Sequence, residues 1–157
     1  MESQIPTRVR VRVLSCDAKI VGSLVGGCRV TIRNRDSGEL LAAGLQLGGS
    51  GDTERIFQPS VGRFDTRFDT PGTAVFETEI PLSAPTPVVI DVEGPLAYPA
   101  SSQKATMTTW LIPGEHVLGD GFVLKLFGFI VEVLQPFSVE VFQSNAGIEL
   151  EAGVRLL

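Results

Sequence analysis

The chain is poor in the residue types from which metal centres and disulfide frameworks are built. It contains one histidine, two cysteines and no Cys-x-x-Cys pair. A structural zinc site needs four ligands, mainly cysteine and histidine, so we expect no metal and no cofactor. Two cysteines are also too few for a disulfide scaffold. We expect Cys16 and Cys28 to be small buried thiols, although their positions near the ends of adjacent predicted strands leave a hairpin disulfide open.

Signals for helices, membrane spans and secretion are also missing. Ten prolines and 17 glycines interrupt the chain, and no stretch has clean helical spacing of apolar residues. The longest apolar run, FVLKLFGFIVEVL at residues 122–134, has 13 residues, whereas a membrane-spanning helix needs about 20. The N-terminal MESQIPTRVRVRV lacks the apolar segment of a signal peptide. We therefore expect a cytoplasmic protein without a membrane span, with export by a dedicated apparatus as the alternative.

The sequence instead contains repeated period-two alternation of apolar and polar residues, which is typical of strands with one face on a core. Turn-forming clusters such as RDSG, DTPGT and LGDG separate these segments. The pattern predicts a single all-β domain over residues 1–157, an antiparallel β-sandwich of six to nine strands with an extended C-terminal β-hairpin. The alternating apolar positions are Val9, Val11 and Val13; Val30 and Ile32; Phe76 and Ile80; Val88, Ile90 and Val92; Val139 and Val141; and Ile148 through Leu156.

Three segments of the chain carry a resemblance to a known group of β-sandwiches. They are VRVRVLS, GCRVTIRNRDSGELLAAGLQLGG and DTPGTAVFETEIPLSAPTPVVIDVEGP, and together they cover about residues 8–95. In this order they resemble the carboxypeptidase-regulatory-like, Cna-B-like and transthyretin-like group of prealbumin-type domains. The resemblance implies a binding or structural module. It does not extend to the hydroxyisourate hydrolases of the group, which use several histidines and a C-terminal Tyr-Arg-Gly-Ser, because this chain ends in VRLL.

The only histidine, His116, lies beside Glu115 and near Asp120. A Glu–His pair can act as a general base. No nucleophile has a fixed position next to it in the sequence, and such residues are common in polar turns. We therefore do not expect an enzyme.

Residues 54–70, ERIFQPSVGRFDTRFDT, keep no periodicity. We interpret them as a long excursion between strands, a place where binding loops are often found. One candidate function is therefore a ligand-binding module, of the carbohydrate type, that uses Phe57, Arg63, Phe64 and Phe68.

The charges are segregated along the chain. Arginines alternate outward from the first two predicted strands, and acidic residues alternate outward from later ones. Like charges directly opposite each other destabilise a sheet, so the arginines need acidic neighbours or a partner. Either Arg–Glu pairs form within one sheet, or the basic face of one subunit meets the acidic face of another. The formal net charge of −5 argues against nucleic-acid binding. The arginines assigned to this interface are Arg8, Arg10, Arg12, Arg29 and Arg33.

Lys125 and Glu132 fall on opposite faces of residues 122–134 if that run is a regular strand. A one-residue slip at Gly128 would place both charges on one face. The core face would then hold Phe122, Leu124, Leu126, Phe129, Val131 and Val133, and the outer face Val123, Phe127, Ile130 and Leu134.

The second face of this run is too apolar for water, so something must cover it. The excursion at 54–70 is one candidate, and another subunit is the one we favour. The leading prediction is a non-enzymatic structural or accessory subunit that forms a homo-oligomer or docks onto a larger complex. Its interface would contain Val123, Phe127, Ile130 and Leu134.

Overall fold

The computed structural model describes residues 3–16, 19–136 and 147–157. Within these ranges the chain is mostly β, in several sheets, which confirms the all-β prediction. One short helix, α1, spans Thr53–Ile56, and 3₁₀ turns span Ser23–Val25 and Pro99–Ser101. The strands are β1 (Ile5–Ser15), β2 (Cys28–Asn34), β3 (Leu40–Gln46), β4 (Phe76–Leu82), β5 (Thr86–Gly94), β6 (Gln103–Leu111), β7 (Val117–Leu126), β8 (Phe129–Gln135) and β9 (Glu151–Leu156).

The strands form two larger sheets and a separate ribbon. The first sheet has the order β4-β1-β7, the second has the order β3-β2-β5-β6, and β8 pairs with β9 alone. All pairings are antiparallel except that of β1 with β7, which is parallel. The prediction of a purely antiparallel sheet was wrong here because β6 and β7 belong to different sheets. A connection between sheets, unlike a hairpin, does not fix the direction of the next strand.

The inward faces of the two larger sheets share one hydrophobic core, which gives the molecule a sandwich-like architecture. Val9, Val11 and Val13 of β1 meet Val30 and Ile32 of β2, and all five are fully buried. These are alternating positions, so the period-two pattern located the core face of both strands. The predicted strand at 148–156 is shorter in the structure, where it begins at Glu151. The predicted strand at Val139 and Val141 lies outside the described residues.

A second, smaller hydrophobic cluster lies on the other face of the first sheet. Leu14 of β1 packs there with Ile20, Ile56 and Ala74, and Phe68 and Val123 border it. The connection between β3 and β4 therefore covers part of the outer face of β1. This corrects the prediction that Arg12 points to solvent, since Arg12 is only 1% exposed. The burial of five consecutive residues at the end of β1 has the same cause.

The predicted slip at Gly128 was wrong. Leu124, Leu126 and Ile130 are all buried in the main core, so strict alternation by two continues across the glycine. The residues that the slip assigned to the core, Phe129, Val131 and Val133, are exposed instead. Gly128 has a φ of +155°, a conformation that favours glycine. At this point the chain leaves the first sheet and pairs with β9.

Candidate functional site

The ribbon of β8 and β9 carries a face made only of apolar side chains. Three pairs of residues lie directly opposite each other, and side chains at alternate positions of a strand share a face. The pairs are Phe129 with Leu156, Val131 with Val154, and Val133 with Ala152. The five larger side chains keep between 50% and 63% of their surface exposed, and Ala152 is exposed as well. We call these six residues the apolar ribbon face.

The opposite face of the ribbon holds it against the body of the molecule. Ile130 is buried in the main core together with Leu157. Arg155 lies 3.4 Å from Glu132 and stacks over the ring of Tyr98 at 4.9 Å. It also donates a hydrogen bond to the Tyr98 hydroxyl. Because these contacts fix one face of the ribbon, the apolar face is directed away from the core.

One edge of the ribbon is also attached. The backbone N–H of Val131 donates a 3.1 Å hydrogen bond to Oγ of Ser101, in the 3₁₀ turn before β6. Gly128 accepts a 3.1 Å bond from the N–H of Leu157 at the base of the ribbon. The Leu157–Gly128 bond extends the β8–β9 ladder, whereas the ribbon is attached to the body by the face that carries Ile130 and Arg155 and by the edge of β8.

The four apolar residues predicted for the interface differ in exposure and do not form one surface. Phe127 is 66% exposed and Leu134 is 36% exposed, whereas Ile130 is 2% exposed and belongs to the core. Val123 is half-buried and borders the cluster that contains Phe68, so the 54–70 excursion covers this part of β7. The prediction for Ile130 failed because it depended on the slip at Gly128. Sequence reasoning missed Val154 and Leu156 as surface residues of the same face, although their alternation was visible.

The predicted basic stripe is largely paired within the chain. Arg10 lies opposite Glu77 in the β1–β4 register, with a contact of 2.5 Å, and also meets Asp69 at 3.1 Å. Its hydrogen bond to Glu77 raises the pKa of Arg10 above the usual value. Arg29 lies opposite Glu93 at 3.6 Å. For Arg10 and Arg29 the structure therefore shows Arg–Glu pairing within one sheet, the first of the two alternatives that the charge pattern allowed.

The remaining arginines of the stripe have different environments. Arg8 is exposed and lies opposite Glu79 in the register. Arg33 is exposed and donates a long 3.5 Å hydrogen bond to the carbonyl of Gly38. Of the five predicted interface arginines, these two make no ion pair within 4.0 Å to a carboxylate in the described part of the chain.

The excursion at 54–70 is anchored to β1 and β7 by carboxylates. Asp69 bridges Arg10 and the buried Arg12, with an Arg12 contact of 2.9 Å. Arg12 also donates to the backbone carbonyl of Gly119. Asp120 accepts hydrogen bonds of 2.8, 2.7 and 3.0 Å from three consecutive backbone N–H groups, those of residues 67–69. Sequence reasoning placed Asp120 near His116 but gave no signal that it bonds to this loop.

The four residues predicted to bind a ligand do not form one surface. Phe68 is half-buried beside the second cluster. Phe57 and Phe64 are exposed, and the Arg63 guanidinium lies 5.7 Å from the centre of the Phe64 ring. The exposed part of the loop is therefore the Arg63–Phe64 pair together with Phe57.

A shallow cavity of about 310 Å³ lies on the outer face of the second sheet. Its charged groups neutralise one another, since Glu93 meets Arg29 at 3.6 Å and Lys104 at 3.9 Å. The Thr106 hydroxyl donates to Asp91 at 2.6 Å. A cavity whose polar groups are already paired offers few free groups to a ligand.

His116 has a structural contact at one ring nitrogen. Its Nδ1 accepts a 3.1 Å hydrogen bond from the backbone N–H of Arg8. This bond joins the start of β7 to β1 at the place where their register shifts. The predicted Glu115–His116 pair is thus part of a strand junction.

Comparisons with protein-family models, curated proteins and solved structures give no match for this chain. The prealbumin-type resemblance therefore stays a prediction. Among the described residues, no group of three or more His, Cys, Asp or Glu side chains is placed to hold a metal ion. No helix in that part of the chain is long and apolar enough to cross a membrane.

Proposed function

We propose that this protein is a non-enzymatic assembly subunit, and that a protein surface covers its apolar ribbon face. The observation that carries the proposal is the composition and exposure of that face, in which three cross-strand pairs contain no polar side chain. Full burial of one Val, Leu or Phe side chain stabilises a fold or a complex by about 1.5–3 kcal/mol. A contiguous apolar surface of this kind is typical of interaction sites.

A partner that covers the apolar ribbon face would also stabilise the ribbon itself. A two-stranded ribbon is marginally stable in water without packing on one of its faces. Here the core contact is supplied mainly by Ile130, at the base of the ribbon. A partner surface on Val131, Val133 and Val154 would hold the distal part of the ribbon. We infer that the partner is a second copy of this chain, and docking onto a larger complex is the alternative outcome.

The proposal includes a prealbumin-like arrangement of the sandwich and a cytoplasmic setting. The order of the three resembling segments supports the first. The two cysteines support the second, because Cys16 and Cys28 are both free thiols and disulfides are rare in reducing compartments.

A substitution on the ribbon tests the proposal. We expect light scattering to give the wild-type protein a mass that is a multiple of 16.8 kDa. Val131→Asp should dissociate the complex, because it places a charge in an apolar interface. Thr108→Asp is the matched control, since Thr108 is an exposed strand position on β6. A wild-type protein that stays at 16.8 kDa and binds no other protein would disprove the proposal.

A second candidate function rests on the 54–70 loop. Phe64 is 92% exposed, and an exposed aromatic ring beside an arginine is a suitable stacking surface for a sugar ring. If this loop binds carbohydrate, a glycan array should give hits that Phe64→Ala abolishes. An array without hits would remove this candidate and leave the assembly proposal untouched.

A further inference from the structure

The outer edge of β9 has open backbone groups. In an antiparallel ladder, alternate residues direct their N–H and C=O groups at the partner strand, and the others direct them away. The N–H of Val131 bonds to Ser101, so the Val131–Val154 pair is one whose backbone groups point away from each other. Val154, with Ala152 and Leu156, therefore directs its backbone groups to the free edge of β9. None of the described residues pairs with that edge.

The sequence of β9 is complementary to itself when it is reversed. Residues 151–155 read Glu-Ala-Gly-Val-Arg. In an antiparallel pair centred on Gly153, Glu151 of each copy lies opposite Arg155 of the other, so two equivalent ion pairs form. Ala152 lies opposite Val154 in the same way. Opposite charges that lie directly across two antiparallel strands stabilise their pairing.

The backbone directions agree with this register. The two Gly153 residues, whose backbone groups point to β8, would form a non-hydrogen-bonded pair. Ala152 and Val154, whose backbone groups point outward, would form the hydrogen-bonded pairs on each side. A register centred on Val154 instead places Arg155 opposite glycine and Glu151 opposite Leu157, so it forms no ion pair. Gly153 also fits the centre, because glycine in a strand allows another backbone to approach closely.

We propose that two copies of this chain pair through β9, antiparallel and centred on Gly153, to form a continuous four-stranded sheet in the order β8-β9-β9-β8. This inference rests on the proposed assembly function and specifies the first contact between two copies of the chain. The side chain of Arg155 is 52% exposed in its contact with Glu132, so it has room for a second carboxylate. The two apolar ribbon faces would then lie on the same side of one sheet.

The pairing also explains how a small apolar face supports a stable complex. Full burial of one such side chain removes roughly 60–120 Å² of apolar surface from water. Five half-exposed side chains therefore offer on the order of 300 Å², well below the roughly 800 Å² that each partner buries in a standard interface. Pairing through β9 doubles this face, so the copies of the chain that cover it, as proposed above, arrive as a second edge-paired dimer.

Cysteine cross-linking tests the register in the full chain. The background is Cys16→Ser, because Cys16 is the exposed native thiol. With oxidised glutathione as the oxidant, Gly153→Cys should give a disulfide-linked dimer. Its two Cα atoms would be about 4.5 Å apart in a non-hydrogen-bonded pair, within the range for a disulfide. The added Cβ would meet only the side chain of Leu134, at an ordinary 3.6 Å.

Val154→Cys in the same background is the control. In the proposed register its thiol faces Ala152 of the second copy, and the two introduced cysteines lie farther apart than a disulfide spans. It should cross-link at least about tenfold more slowly than Gly153→Cys. Faster cross-linking through Val154→Cys overturns the register. No cross-linking in a protein that light scattering shows to be oligomeric overturns the edge pairing but leaves the assembly function standing. A monomeric wild-type protein overturns both.

Charge exchange provides an independent second test. The homodimer of Glu151→Arg and the homodimer of Arg155→Glu should each dissociate, because each variant places like charges opposite one another. Mixed in equal amounts, they should form one-to-one heterodimers in native mass spectrometry, since the charges are then complementary. Two single variants that stay associated alone, or a mixture that stays dissociated, would overturn the proposal.

Discussion

Ile130 and Val131 are adjacent in the chain, yet Ile130 is 2% exposed and Val131 is 50% exposed. The first side chain completes the main core, and the second lies on the apolar ribbon face. Two neighbouring apolar residues of β8 therefore lie in different environments, and the proposed assembly function assigns only the second to association.

The two residues should respond differently to truncation. We expect Ile130→Ala to lower the free energy of unfolding by about 2–5 kcal/mol, because it leaves a cavity in the core. Val131→Ala should change the stability of the dissociated protein by less than about 0.5 kcal/mol. Urea unfolding at low protein concentration measures both. Equal losses would mean that Val131 is part of the folded core.

Asp69 should be needed to compensate the buried Arg12. The Arg12 side chain is 2% exposed, and Asp69 is its only carboxylate contact among the described residues. We expect Asp69→Asn to cost about 1.5–3 kcal/mol, the range for a hydrogen bond to a charged group. Thermal unfolding measures this cost, and Glu54→Gln, at an exposed carboxylate of α1, is the control. An Asp69→Asn protein as stable as wild type would contradict the assignment.

Asp120 should determine how firmly the 54–70 loop is attached. Its carboxylate accepts the backbone N–H groups of three residues in a row. We expect Asp120→Ala to raise the rate of proteolysis within 54–70, with a smaller effect on the two sheets. Amide hydrogen exchange at residues 67–69 provides a direct measurement, and unchanged protection there would count against this role.

The two cysteines should differ in reactivity. Cys16 is exposed, so the prediction that both thiols are buried was wrong for this residue. Cys28 is buried, and burial raises the pKa of Cys28 to about 12. At pH 8 we expect a thiol reagent to label Cys16 in the folded protein and Cys28 only after unfolding. Rapid labelling of both thiols under native conditions would show that the N-terminal end of β2 is open.

The raised pKa also predicts a dependence of stability on pH. Between the usual thiol value of 9.0 and about 12, the folded state keeps the Cys28 proton and the unfolded state loses it. The folded state then binds more protons, so stability should fall as pH rises through this window and be unaffected by Cys28 below it. Cys28→Ala should show a shallower decline in the same titration by circular dichroism.

The sequence alone located most of the strands but not what covers them. Val9, Val11 and Val13 revealed their core face because alternation depends only on the local backbone. The burial of Arg12 depends on a connection that returns to β1 from more than forty residues away, and no local pattern encodes it. The same holds for Asp120, whose partners lie in the 54–70 loop.

The candidate site was predictable in kind but not in detail. The apolar excess of residues 122–134 predicts a surface that is covered, which stays a prediction, and Phe127 is exposed in the structure. The choice of face was wrong because Gly128 was assigned a bulge. In the structure the glycine instead marks the passage from one sheet to a separate ribbon without a change of alternation.

Hydroxyl-radical footprinting as a function of protein concentration tests most directly whether the apolar ribbon face is covered in solution. Phe129 lies on that face, and Phe64, 92% exposed in the 54–70 loop, is an internal reference. We predict that labelling of Phe129 relative to Phe64 is low at high concentration and rises on dilution, and that it is high at all concentrations in Val131→Asp. A ratio that is the same at every concentration and in both proteins would contradict the account.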